Sequence, residues 1–238
     1  MDSFLIKIIA IITMLIDHTK NILSLRDVSL YMLGRVAFPL FAFQTTIGYE
    51  KTKDLKKYLL RLFIFAIISQ IPFSIYYKEV LKIQELTLNI MFTLIIGIIC
   101  MYVYDIKINP ELEKKKIIIA NIYKSIIIVL LIVLAQILNV DYQCFGVILI
   151  LFIHIFYKNN KIIFSLGYIT LITIQFILSY YSKVPLEFFI AMLVGGIIPL
   201  AIMLSYNGKK GKSLKYLFYV FYPAHLIILV MIKTFLIK

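Results

Sequence analysis

Apolar runs about as long as a bilayer is thick recur along the whole chain, and they exclude most folds at once. Nine of them occupy residues 4–25, 30–49, 57–77, 86–104, 117–138, 142–157, 161–180, 186–205 and 214–236. A helical span needs roughly 20 predominantly apolar residues. Lipid offers no hydrogen-bond partners, so the backbone of each run must satisfy itself, as a helix does. The runs are too uniform for the alternating strands of a transmembrane barrel. With 62% hydrophobic residues and 16% charged, little is left over for a soluble domain. The expected fold is all-α: a polytopic membrane helical bundle of about nine transmembrane helices, forming a single domain over 1–238.

The charges report orientation. Lys and Arg number 25 against 12 Asp and Glu, a formal net charge of +13. On a soluble chain such an excess would suggest nucleic acid, but here no basic stripe interleaves with aromatics on a soluble face. The cations lie in short connections instead. The second holds Lys51, Lys53, Lys56 and Lys57 with Arg61 close behind, the fourth Lys107, Lys114, Lys115 and Lys116, and the eighth Lys209, Lys210, Lys212 and Lys215. The odd-numbered connections are poorer: Lys20 and Arg26, then Lys78 and Lys82, then none, then Lys183. The positive-inside rule therefore predicts a cytoplasmic amino terminus and an outside carboxyl terminus, with the basic connections facing anionic lipid headgroups or anionic ligands. Met1-Asp2-Ser3 supplies no positive flank and no small-residue cleavage site follows, so the first span is expected to be retained. Cys100 and Cys144 lack the spacing of a metal site, and none is expected.

The first span carries the most informative polar residues. Lys7 and His18 have ten residues between them, which at about 100° and 1.5 Å per residue puts them on one helix face roughly 16 Å apart. Asp17, Arg35, Gln70, Asn89 and His225 also fall within apolar runs. Ionisable groups at bilayer depth are costly and mark functional sites by default, so His18, Arg35, Gln70, Asn89 and His225 are expected to share a cavity between the outer half and the midplane of the membrane, with Tyr222 beside His225. Neighbouring helical positions diverge by about 100°, so Asp17 cannot face His18; it is expected to pair with Arg35 or Lys20, or to hold a bound amine. The competing expectation for Gln70 and Asn89 is a hydrogen bond between helices. Pro39, Pro72 and Pro199 are candidate kinks.

These residues permit acyl transfer. Histidine, with an ordinary pKa of about 6.5, is a suitable general base for an amine or hydroxyl attacking a thioester. A basic cytoplasmic mouth suits acyl-coenzyme A, whose anionic head stays in the cytosol while its reactive end enters the membrane. Tyr206-Asn-Gly-Lys-Lys-Gly211 would offer it Asn207, Lys209 and Lys210. There is no Walker turn, no G-x-S-x-G elbow and no HExxH. A non-enzymatic assembly factor, or a proton-coupled transporter using the same polar groups, is the alternative.

Several stretches together carry a family resemblance: Lys7 to His18, Gly34-Arg-Val-Ala-Phe-Pro-Leu-Phe-Ala-Phe43, Gly48-Tyr49 with Lys57-Tyr-Leu-Leu-Arg61, Leu88-Asn89, Tyr206 to Gly211, and Phe221-Tyr-Pro-Ala-His-Leu226. The chain resembles the TraX family nearly end to end, and more distantly the transmembrane acyltransferases, whose first helix pairs a basic residue with a histidine across ten positions. Tyr142, between Asp141 and Gln143, stands where a Tyr-Gly pair is expected, and Cys144-Phe145-Gly146 departs from that pair. The resemblance implies a multi-pass inner-membrane acetyltransferase that uses acetyl-CoA and acts on the amino terminus of pilin, or on another peptide amine or small acceptor. It makes His18 the catalytic histidine and Lys7 a donor-side cation, with Arg35 and His225 as motif residues. Oligomeric state is not encoded in any motif.

Overall fold

The computed structural model describes residues 1–180, 185–212 and 215–236, so the expectation resting on Lys183 lies outside the described residues. The described residues form ten helices: α1 (Ser3–Ile22), α2 (Val28–Gly34), α3 (Ala37–Lys51), α4 (Leu55–Glu79), α5 (Ile90–Asp105), α6 (Lys114–Ile137), α7 (Gln143–Phe156), α8 (Lys161–Tyr180), α9 (Leu186–Leu204) and α10 (Lys215–Leu236). Five are long and apolar enough to cross a membrane: α4, α6, α9, and the stretches Lys161–Leu178 of α8 and Phe218–Phe235 of α10. Four of the expected runs do not reach that standard by themselves. α5 and α7 are apolar but short, and α1 carries Lys7, Asp17 and Lys20.

The second run is where the structure departs from the sequence reading. In place of one helix over 30–49 there are two, meeting at Arg35 and Val36. Pro39 explains the break. It has no amide proton to give the carbonyl of Arg35 four residues back, and its ring crowds that carbonyl. The chain instead turns tightly, with Arg35 N donating to Met32 O at 3.3 Å and Val36 N to Leu33 O at 3.2 Å. Pro72 and Pro199 stay inside single helices.

Packing sets α1 against α2 and α3, α10 against α4, α2 against α9, and α5 against α7. Large side chains such as Ile6, Phe43, Phe73, Tyr76 and Tyr168 are sealed from solvent between them. α6 packs on α5 and α7 at the edge of the bundle, with Ala135 its one buried residue and a row of exposed aliphatics facing outward, as a lipid-facing helix requires.

Gln70 and Asn89 knit α4 to α5. The Asn89 side chain caps α5 by accepting from Met91 N at 3.1 Å, and its Nδ2 donates to Ala66 O at 2.7 Å and Gln70 Oε1 at 2.8 Å. Gln70 Nε2 donates to Thr87 O at 2.8 Å and Ser74 Oγ at 3.1 Å. These polar groups are spent on holding two helices together. The expectation that both residues face a substrate cavity is corrected accordingly. Asn89→Ala should lower stability by about 2 kcal/mol through the lost cap and orphaned buried groups. The readout is the thermal midpoint of the detergent-purified chain, and an unchanged midpoint would deny the clamp its weight.

Candidate active site

On α1, Lys7, Ile11 and Met14 repeat at helical spacing and open onto one cavity of about 410 Å³. Its upper wall is cationic: Lys7, Lys51, Lys53, Arg61, Lys210 and Lys212 line it, and no carboxylate does. Its lower wall is apolar, formed by Met14, Ile90, Met91 and Leu94 with Tyr222. Two buried donors on the wall, Gln44 Nε2 and Arg61 Nε, have no hydrogen-bond partner among the described residues. Buried donors are rarely left so, and they add to a wall that favours an anionic, acceptor-rich guest.

The loop from Ser205 to Gly211 closes one side. Lys51 Nζ donates to Tyr206 Oη at 2.8 Å and to Gly208 O at 2.7 Å. The start of the chain staples the same loop: the Met1 amino group donates to Ser205 O at 2.5 Å and Ser3 N to Lys209 O at 2.9 Å. Gly211, at φ 68°, lies against Asp2, where a Cβ would come within 2.5 Å of a carboxylate oxygen. Of the donor-side residues proposed from sequence, Lys7 and Lys210 line the cavity. Asn207 and Lys209 do not: Asn207 Oδ1 accepts from Lys209 N at 3.0 Å, and both serve the turn. Lys51, Lys53, Arg61 and Lys212, first counted only for orientation, join the wall.

His18 lies one helical turn, about 6 Å, beyond Met14. Its Nδ1 meets His225 Nε2 at 2.8 Å, and His225 Nδ1 meets the carbonyl of Phe221 at 2.9 Å. A carbonyl only accepts, so His225 carries its proton on Nδ1 and offers the Nε2 lone pair. His18 therefore donates from Nδ1, which leaves its Nε2 as an unprotonated base. Phe221, His225 and His18 form a stack, with centroid separations of 4.9 and 5.0 Å, and Tyr76 meets His18 edge-on at 5.0 Å. Tyr76 Oη also donates to His18 O at 3.1 Å and accepts from Asn21 Nδ2 at 3.1 Å.

The shared cavity expected from sequence is thus corrected in one respect. Tyr222 and Met14 belong to its floor, whereas His18 and His225 sit just past that floor, and Arg35 does not line it. Asp17 turns away from His18, toward α2. Its Oδ1 lies 2.8 Å from Lys20 Nζ and 3.1 Å from Arg35 Nη2, and its Oδ2 3.3 Å from the same nitrogen. With both cations on it, Asp17 is an anchor for Arg35 rather than a free acid or base. Gly34 makes room, since a Cβ there would stand 2.0 Å from Asp17 Oδ1. Among the described residues no His, Cys, Asp and Glu cluster could hold a metal ion.

Asp141 and Tyr77 were not singled out in the sequence. Asp141 lies in the connection between α6 and α7, and Tyr77 Oη donates to its Oδ1 at 3.5 Å. Burial pushes its carboxyl up to about 7, with the Arg35 guanidinium opposing. The signal that could have found Asp141 stood beside it, since Tyr142 falls where the family resemblance expects a Tyr-Gly pair.

Comparison with known proteins follows the same residues. The TraX protein family model matches residues 3–233. The chain belongs to the TraX family. This TraX chain is also 28% identical over 254 residues to a probable fimbrial assembly protein FimC, serogroup H1, of Dichelobacter nodosus, across 99% of this chain and 97% of that protein. No solved structure matches it.

Proposed function

We propose that this TraX protein is a multi-pass, inner-membrane acyltransferase that moves an acetyl group from acetyl-CoA onto an acceptor delivered from the other side. The observation that carries the reading is the alignment of a carboxylate-free cationic mouth, an apolar neck and a histidine base along α1. The lysine-rich connections face the cytoplasm on this reading, so the amino terminus is inside and the carboxyl terminus outside. The phosphates of coenzyme A meet Lys7, Lys51, Arg61 and Lys210, and the slender pantetheine arm runs down the neck past Met14, whose unbranched side chain yields easily. A volume near 410 Å³ suits that arm, with the nucleotide at the mouth.

In the transfer, the acceptor attacks the thioester carbonyl while His18 Nε2 takes its proton, and the departing thiolate receives that proton from His18. Arg35, Asn89 and His225 are the candidates to steady the oxyanion. Asn89 is spent on the α4–α5 clamp, and His225 has its one N–H on Phe221 O. Arg35 remains, with its Nε without a partner among the described residues. The relative's name, fimbrial assembly protein, favours an acceptor among pilus or fimbrial subunits, such as a pilin amino terminus.

Coenzyme A should raise the thermal midpoint of the purified full-length chain by several degrees at saturating concentration. Arg61→Gln combined with Lys51→Gln should weaken its binding roughly tenfold or more, less so at high salt. Absence of any stabilisation by coenzyme A or acetyl-CoA in the unaltered protein would refute the reading.

A further inference from the structure

We infer that Gln44 receives the diphosphate of the donor and thereby fixes how deep the donor sits in the cavity. The inference rests on the acyltransferase reading and adds to it a binding residue and the ligand atoms that residue meets.

Gln44 lies on α3 in the series Phe41, Gln44, Thr45, Gly48 and Lys51, whose helical spacing turns one face to the cavity. It is only 7% exposed, and Ser3 beside it only 3%, so bulk water satisfies neither side chain. The Ser3 hydroxyl donates to Gln44 Oε1 at 2.7 Å, the one acceptor its proton has among the described residues. That bond orients the amide. Its oxygen is spent on Ser3, and its Nε2 is left as a buried donor with no partner among the described residues. Leaving such a donor unpaired costs about 1–3 kcal/mol. Nothing in the fold recovers that cost, whereas an acceptor carried by a ligand in the cavity would.

The neighbours set the charge of that acceptor. Arg61, from α4, lines the same cavity with its Nε also unpaired. Lys7, from α1, holds its ammonium 5.3 Å over the ring of Phe218. Among the described residues no carboxylate lies within 4.0 Å of either cation. Two cations and an amide drawn from three helices, with no acid among them, match a group that is anionic and rich in acceptor oxygens.

Distance decides which part of the donor that is. Ser3 marks the level of the Gln44 amide, and His18 follows fifteen positions later on α1, a rise of about 22 Å. An extended pantetheine arm runs about 16 Å from phosphorus to sulfur, and the thioester carbon lies about 2 Å further on. About 4 Å then remains for the attacking atom between that carbon and the base, close to the spacing that transfer requires. The two amide carbonyls of the arm fall about 6 and 11 Å below the phosphorus, at the levels of Lys7 and Ile11 and too deep for Gln44. The diphosphate is the acceptor at the right height.

A neutral amide adds something the lysines do not. A lysine attracts phosphate as a point charge, from many directions, so Lys51, Lys53, Lys210 and Lys212 draw the donor in without fixing it. An amide whose oxygen is pinned by Ser3 offers its N–H groups along set lines, and so acts as a depth stop. Ser3 N also donates to Lys209 O at 2.9 Å, so one residue anchors both this stop and the loop that carries Lys210.

The test measures binding to the full-length chain in nanodiscs with two probes, coenzyme A and 3′-phospho-ADP, the fragment that lacks the arm. Gln44→Leu should weaken both roughly 10- to 100-fold, as expected for a lost hydrogen bond to a charged group. Gln44→Glu puts a carboxylate on a wall that has none and should weaken both further. Ser3→Ala keeps the amide but frees it to turn, and should weaken both by less than Gln44→Leu. A Gln44→Leu chain that loses affinity for coenzyme A but not for the fragment places the amide on the arm and overturns the assignment. So does an unaltered chain that holds coenzyme A and not the fragment. Variants that melt earlier yet hold both probes with unaltered affinity make Gln44 structural, which overturns it as well. Failure of the parent reading looks different: the unaltered chain then binds neither probe.

Discussion

Replacing His18 with alanine should reduce acetyl transfer by about 10²- to 10⁴-fold, the usual contribution of a positioned proton acceptor, while leaving expression and coenzyme A stabilisation intact. The two histidines predict a graded series around that result. His225 touches no substrate on this reading; it fixes the His18 ring by accepting from Nδ1 at 2.8 Å. His225→Ala frees the ring to turn and to choose the other tautomer, and should cost about 10- to 100-fold in kcat with little change in KM. His225→Gln keeps an acceptor near the same place and should recover much of that loss. A fold effect would instead lower all variants together in stability. Full turnover by His18→Ala would end the catalytic account whatever His225 does.

The largest stability effect is expected at Asp17. Its carboxylate serves two cations, and the side chains of Lys20, Asp17 and Arg35 are only 3%, 16% and 27% exposed. Asp17→Ala leaves two positive groups facing each other in a site that excludes most water, and should cost about 3 kcal/mol or more. Gly34→Ala acts on the same pair sterically. A methyl 2.0 Å from Asp17 Oδ1 must push the carboxylate off Arg35 or part α1 from α2, for about 1–3 kcal/mol. The two changes share a partner, so together they should cost less than their sum. Denaturation of the detergent-solubilised chain measures all three, and strict additivity would separate Gly34 from the ion pair.

Much of the arrangement was legible in the residues. Helical periodicity alone places Lys7 and His18 on one face, and the depth of Asp17 and Arg35 in apolar runs called for mutual neutralisation. Other features were not. Pro39 in an apolar run marks a candidate kink, but whether it bends one helix or parts two, as it does between α2 and α3, depends on packing that no local pattern carries. His18 and His225 are 207 positions apart, and no local pattern announces that they touch. Gln70 and Asn89 show why depth is ambiguous. A polar side chain within lipid needs a partner, and the sequence does not distinguish a partner on the next helix from one in a substrate. The cations at the mouth have the same double character, since a lysine that orients a membrane chain and one that holds a phosphate look alike.

The brevity of α5 and α7 bears on how an acceptor reaches the site. At about 1.5 Å per residue, helices of 16 and 14 residues extend roughly 24 and 21 Å, short of a hydrocarbon slab near 30 Å. They pack side by side, and the bridge between Leu88 and Val140 ties together the segments that lead into them at one end. Lipid beside a pair of short helices thins or dimples to meet them. The aqueous phase would then dip toward the connection between α6 and α7, shortening the path from water to the end of the bundle where both short helices begin.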